Sequence, residues 1–99
     1  MIILINQITV DRLKRLGNIN LIDIRSVEKY NGNHIPGAIN IPKILLVKDY
    51  YKYLDKNKIY YIYCQRGEQS LKVCRLLTNL GYKVINVIGG YESWILNEK

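Results

Sequence analysis

The chain has 99 residues, a formal net charge of +7, two cysteines, one histidine, nine tyrosines and no phenylalanine. That length leaves room for one domain with a modest core, and no stretch approaches the roughly 18 apolar residues of a membrane span. A single histidine without a Cys-x-x-Cys pair argues against a tetrahedral zinc site, and two cysteines ten residues apart argue against a disulfide framework.

The basic residues are scattered along the chain, not massed in one block. They read as a solvated surface that suits an anionic small substrate or an acidic protein partner, with no dedicated nucleic-acid face. Met1 to Ile5 has no basic region before it and is too short for the apolar core of a signal peptide, so a cytoplasmic location is expected. Nothing in the sequence demands more than a monomer.

Ile2 to Ile8 predicts a first short strand. Thr9 caps a helix in which Val10, Leu13 and Leu16 recur at three-residue spacing, and Gly17 stops it. Ile19 to Arg25 is a near-continuous apolar strand ending in charged residues, of the kind found in sheets covered on both faces. Ser26 caps a short helical turn through Tyr30, and Asn31 to Gly37 is dense in turn formers.

Ala38 to Ile41 predicts a third strand, stopped by Pro42. Ile44 to Leu54 predicts a helix with Ile44, Leu45, Val47, Tyr50, Tyr51 and Leu54 toward the core. After the turn Asp55 to Lys58 comes the strand Ile59 to Tyr63. Ser70 then opens a helix over Leu71 to Leu80 that buries Val73, Leu76, Leu77 and Leu80, and Gly81 ends it. Lys83 to Ile88 is a last strand, Gly89-Gly90 a turn, and Tyr91 to Leu96 a closing helix that carries Trp94. Strands alternate with helices five times, which argues for an α/β fold with a mainly parallel sheet.

Ligands of such folds bind outside the carboxyl ends of the strands. Asp23-Ile24-Arg25 and Cys64 both follow strands and should emerge on that edge. The polar loop after Cys64 leads into a helix, so backbone N–H groups and the positive end of a helix dipole converge on the sulfur and favour the thiolate. Cys64 is therefore the candidate nucleophile.

Four segments together resemble the single-domain rhodaneses: Leu21 to Arg25, His34 to Pro42, Cys64 to Ser70, and Gly89 to Trp94, in the family's order and spacing. The resemblance implies a rhodanese-like α/β fold, a five-stranded parallel sheet flanked by helices on both faces. It implies a thiosulfate sulfurtransferase that carries sulfane sulfur as a Cys64 persulfide, with the loop Gln65, Arg66, Gly67, Glu68, Gln69, Ser70 cradling it. No metal or organic cofactor is needed, because sulfur itself is the covalent intermediate. The donor would be a small anion such as thiosulfate and the acceptor cyanide or a thiol, with an acidic sulfur-relay protein as a further partner.

Two positions depart from the family pattern. Asn33 stands where Gly often precedes the histidine, and Asn tolerates unusual turn conformations better than most residues. Gln69 stands at the sixth loop position, counted from Cys64, where many members have Arg; this bears on donor preference.

The remaining residues carry blander readings. Asp23 and Arg25 pair to anchor the functional edge, and His34 belongs to a tight turn. Cys74 packs in the core. Arg66 serves equally as a solvated charge or as an attractor of the donor, and Glu68 reads as solvated. The tyrosines read as core and boundary packing, not as a stacking platform for single strands. A Cys-x5-Arg phosphatase needs an arginine at the position held by Ser70. A persulfide carrier in a protein relay and a noncatalytic binding module of the same fold stay open as alternatives.

Overall fold

A computed structural model describes residues 4–98. The expected beginning of the first strand, Ile2 and Ile3, lies outside the described residues. The elements are β1 (Asn6–Ile8), α1 (Val10–Leu13), β2 (Asn20–Asp23), α2 (Val27–Gly32), β3 (Ile39–Asn40), α3 (Lys43–Tyr53), β4 (Ile59–Tyr63), α4 (Glu68–Asn79), β5 (Lys83–Val87) and α5 (Gly90–Asn97). The five strands form one sheet in the order β1-β5-β4-β2-β3, and every pairing is parallel.

Successive side chains of a strand point to opposite faces, so each apolar strand feeds two cores. On one face Ile22, Ile62 and Val84 meet Leu46 of α3 and Val73, Cys74 and Leu77 of α4. On the other, Leu21, Tyr63 and Val87 meet Val10 and Leu13 of α1 and Tyr91 of α5. The sheet is thus covered on both faces, which is what the unbroken apolar runs of β2 and β4 required. The central strand β4 pairs with both β5 and β2 and delivers Cys64 at its carboxyl end.

Local chemistry starts the helices as expected in two cases. The Thr9 hydroxyl accepts from Arg12 N–H at 3.3 Å, and the Ser26 hydroxyl accepts from Lys29 N–H at 3.2 Å. Three expectations are corrected. The first helix closes at Leu13, where the chain tightens into i→i−3 bonds (Arg15 N–H to Arg12, Leu16 N–H to Leu13), and Leu16 is exposed. In α3, Leu46 is fully buried while Ile44, Leu45 and Tyr51 face solvent. The helix begins one residue early and is interrupted at Asp49 (φ −122°, ψ 35°), so a single 3.6-residue period does not run through it. In α4, Leu76, expected in the core, is exposed, while Cys74 packs there as expected.

Four of the tyrosines, Tyr60, Tyr63, Tyr82 and Tyr91, are buried, and each sits in one of the two cores. Among the described residues no helix is long and apolar enough to cross a membrane.

Candidate active site

The loop between β4 and α4 wraps around the sulfur of Cys64. Gly67 N–H donates to Sγ at 3.1 Å and Ser70 N–H donates to it at 3.3 Å. Both donors lie at the start of α4, where the first N–H groups have no partner inside the helix. Two backbone donors and the positive end of a twelve-residue helix therefore point at one atom. Cys64 is only 5% exposed, yet it forms the floor of a cavity of about 200 Å³ lined also by Gln65, Arg66, Glu68 and Gln69.

The loop takes this shape because Gly67 caps α4 in the left-handed region, at φ +96°. A Cβ at Gly67 would also lie 2.8 Å from Gly89 N, so both backbone conformation and space demand glycine. The helix starts at Glu68, two residues before the expected opening at Ser70. Glu68 and Gln69 are good helix formers, and an acidic residue suits a first turn. Ser70 instead turns its hydroxyl inward, donating to Asn86 Oδ1 at 2.5 Å, with Gly67 O a second acceptor at 3.2 Å. Its oxygen lies 3.3 Å from Cys64 Sγ and accepts the thiol proton. Asn86 in turn donates through Nδ2 to Gln7 Oε1 at 3.0 Å.

The loop is braced from α5. Tyr91 N–H donates to Cys64 O at 2.9 Å and Glu92 N–H to Gln65 O at 3.0 Å. Any Cβ on Gly90 would fall 2.3 Å from Cys64 O, so the helix N-terminus can come this close only with glycine there.

Asp23 and Arg25 emerge beside this loop at the end of β2. Asp23 is fully buried and Arg25 nearly so, and they form a bidentate pair with a shortest contact of 2.7 Å. Burial disfavours the Arg25 charge, but the hydrogen bond and attraction of Asp23 outweigh it and hold the guanidinium pKa above its ordinary value. Arg25 also donates to Gln65 Oε1 at 3.1 Å and to Asn33 O at 2.7 Å, and stacks over Tyr91 at 4.2 Å. The pair thus ties the site loop to the loop after α2 and to α5.

His34 is separate from the sulfur's partners. Its Nδ1 lies 2.8 Å from Tyr30 O and its ring stacks on Tyr30 at 3.8 Å, fixing the turn that leads to β3. Arg66 donates to Glu92 Oε2 at 3.2 Å on the surface. Glu68 is exposed. Cys74 is fully buried on α4, and burial, reinforced by the nearby Cys64, pushes its thiol up to about 12.

Residues 8–97 match the rhodanese-like domain. The chain belongs to the rhodanese-like family. Three curated relatives are 36–39% identical to it. A probable molybdopterin-synthase adenylyltransferase of Porphyra purpurea is 39% identical over 80% of this chain, which spans 22% of that protein. The putative sulfur carrier protein YrkF of Bacillus subtilis is 36% identical over 78% of the chain and is spanned to 42%. The putative sulfurtransferase YtwF of the same species is 36% identical over 75% of the chain and is spanned to 71%. The chain therefore spans less than half of the first two. A rhodanese-like domain protein from Staphylococcus aureus superposes with a TM-score of 0.83 at 34% identity, covering 91% of each chain. The rhodanese-like fold is the one implied by the four sequence segments.

Asn86, Gln7, Glu92 and Lys43 were not legible as site residues. Asn86 did carry a signal, a polar side chain inside the apolar run Val84 to Val87. Lys43 carried none, because it reaches the loop only through the packing of α3, where Nζ donates to Gln69 Oε1 at 2.5 Å.

Proposed function

We propose that the protein is a sulfurtransferase in which Cys64 carries sulfane sulfur as a persulfide. The observation that supports this most directly is the pair of backbone N–H groups converging on Cys64 Sγ at the floor of a small cavity. That arrangement stabilises negative charge on a sulfur. Its size suits an atom or a small anion.

With thiosulfate as donor, the Cys64 thiolate attacks the outer sulfur. The new S–S bond takes the place of the S–S bond of thiosulfate, and sulfite leaves with that electron pair. Cyanide or a thiolate acceptor then attacks the terminal sulfur of the persulfide, and the Cys64 thiolate leaves. Charge is conserved in both steps, and no external oxidant or reductant enters. Gly67 and Ser70 N–H hold the charge on Sγ. Asp23 and Arg25 position the loop.

The experiment is an intact mass of the reduced protein after thiosulfate, beside Cys64→Ser and Cys74→Ser. Gain of one sulfur atom in wild type and Cys74→Ser, and none in Cys64→Ser, is the expected result. No gain in any protein rejects thiosulfate as donor. A second reading, a persulfide carrier in a protein relay, is favoured by the similarity to a putative sulfur carrier protein. Slow loading from thiosulfate with fast loading from a protein persulfide would select it.

A further inference from the structure

Around the mouth of the site the positive charges divide into two kinds. Arg25 is spent on Asp23, and Arg66 is turned toward Glu92. Lys29 and Lys43 remain, and neither has a carboxylate within ion-pair distance among the described residues. Both line a cleft of about 470 Å³ whose other walls include Arg25, Cys64, Gln65 and Gln69. No acidic side chain lines it. Lys43 is held there at two points. Its backbone N–H donates to Ile24 O at 3.0 Å, and its ammonium donates to Gln69 Oε1 at 2.5 Å.

Gln69 itself carries no charge. A cation is brought to it from α3, twenty-six residues earlier in the chain. We infer that Lys43, supported by Lys29, is the anion-receiving residue of the site, and that Gln69 acts as its positioning partner. The ligand class is a small dianion with oxygen atoms, such as the sulfonate end of a thiosulfate. An ammonium on a flexible stem serves as a point charge and accepts such groups in several geometries, whereas an arginine would fix one by bidentate bonds. The site should therefore discriminate by charge more than by shape. Only the identity of the physiological anion rests on the sulfur-transfer reading.

The test compares alkylation of Cys64 by iodoacetate, an anion, and by iodoacetamide, its neutral counterpart. The rate ratio reads the field at the mouth and requires no sulfur transfer. In Lys43→Met the ratio of iodoacetate to iodoacetamide should fall by about five- to tenfold at low ionic strength, and less at high salt. The double variant Lys43→Met with Gln69→Arg should regain most of it, because arginine restores the charge in place. Lys43→Gln guards against a packing effect of methionine. An unchanged ratio in both single variants, with wild-type circular dichroism, overturns the inference, as does a double variant that regains nothing. Parallel loading with thiosulfate separates the two proposals. Failure of the wild type to load sulfur while its alkylation ratio responds to Lys43 sinks thiosulfate as donor and leaves the anion site standing.

Discussion

Ser70 gives its hydroxyl proton to Asn86 at 2.5 Å, and its oxygen faces Cys64 Sγ at 3.3 Å. The hydroxyl thus accepts from the thiol when the sulfur is protonated. Once the sulfur is charged, Ser70 can help only by turning its proton from Asn86 to Sγ. Asn86 and the sulfur compete for one proton, and Gln7 holds Asn86 in the orientation that competes.

This competition has a measurable outcome. Asn86→Asp places a carboxylate where the amide oxygen stood, and repulsion at short range in a buried site should slow iodoacetamide alkylation of Cys64 about tenfold near neutral pH. Ser70→Ala removes the acceptor and the competing bond together, so its effect should be smaller, about two- to fivefold. Stopped-flow alkylation of the two variants orders them, and an equal effect would refute the competition.

Gly67 bears both a positive φ and a close approach to Gly89. Gly67→Ala should cost about 2 kcal/mol or more and distort the donors around Cys64. Urea denaturation and persulfide loading should both be impaired. Loss of stability with normal loading would mean that the cradle tolerates another loop path.

The Asp23–Arg25 pair predicts a large asymmetry. Asp23→Asn leaves the Arg25 charge buried without its partner and should cost about 3–5 kcal/mol. Replacing both by apolar residues of similar volume should cost less than Asp23→Asn alone. Because Arg25 also holds Gln65, both variants should load sulfur slowly, which chemical denaturation and loading assays would resolve.

Cys74 should be silent toward alkylating agents in the native protein near neutral pH, and peptide mapping should find label on Cys64 alone. Its thiol is raised from 9.0 to about 12 by burial and by Cys64. The raised value gives a sign. Stability contributed by the buried neutral thiol is complete below pH 9 and is lost between about 9 and 12, as the unfolded chain releases the proton first. The loss runs at about 1.4 kcal/mol per pH unit for one such group. Tyr63, raised chiefly by burial and then by the nearby Asp23 carboxylate, adds to the same alkaline slope. Cys74→Val should flatten part of the denaturation profile above pH 9 and leave the neutral region unchanged.

The alternation of strands and helices, both hydroxyl caps and the strand-end placement of Cys64, Asp23 and Arg25 were legible because each rests on residues within one turn or one strand. The inward phase of α3 was not. Pro42 starts it early and Asp49 breaks its period, so Leu46 could be found only by packing against Ile22 and Ile62. The cradle was legible as a loop glycine beside a cysteine. Its partners were not, because Asn86, Lys43 and Glu92 lie 22, 21 and 28 residues from Cys64 and reach it through tertiary contacts.

The bonds from Tyr91 and Glu92 to the carbonyls of Cys64 and Gln65 set an order of assembly. A chain emerging from the ribosome presents Cys64 before residues 89–92 exist to hold its loop. Until β5 pairs with β4 and carries α5 into place, the loop around the thiol lacks these two braces, and an incompletely held thiol is open to oxidation and to unintended partners. Docking of α5 supplies the last braces of the loop, so a substitution at Gly90 should lengthen the vulnerable interval as well as weaken the finished fold.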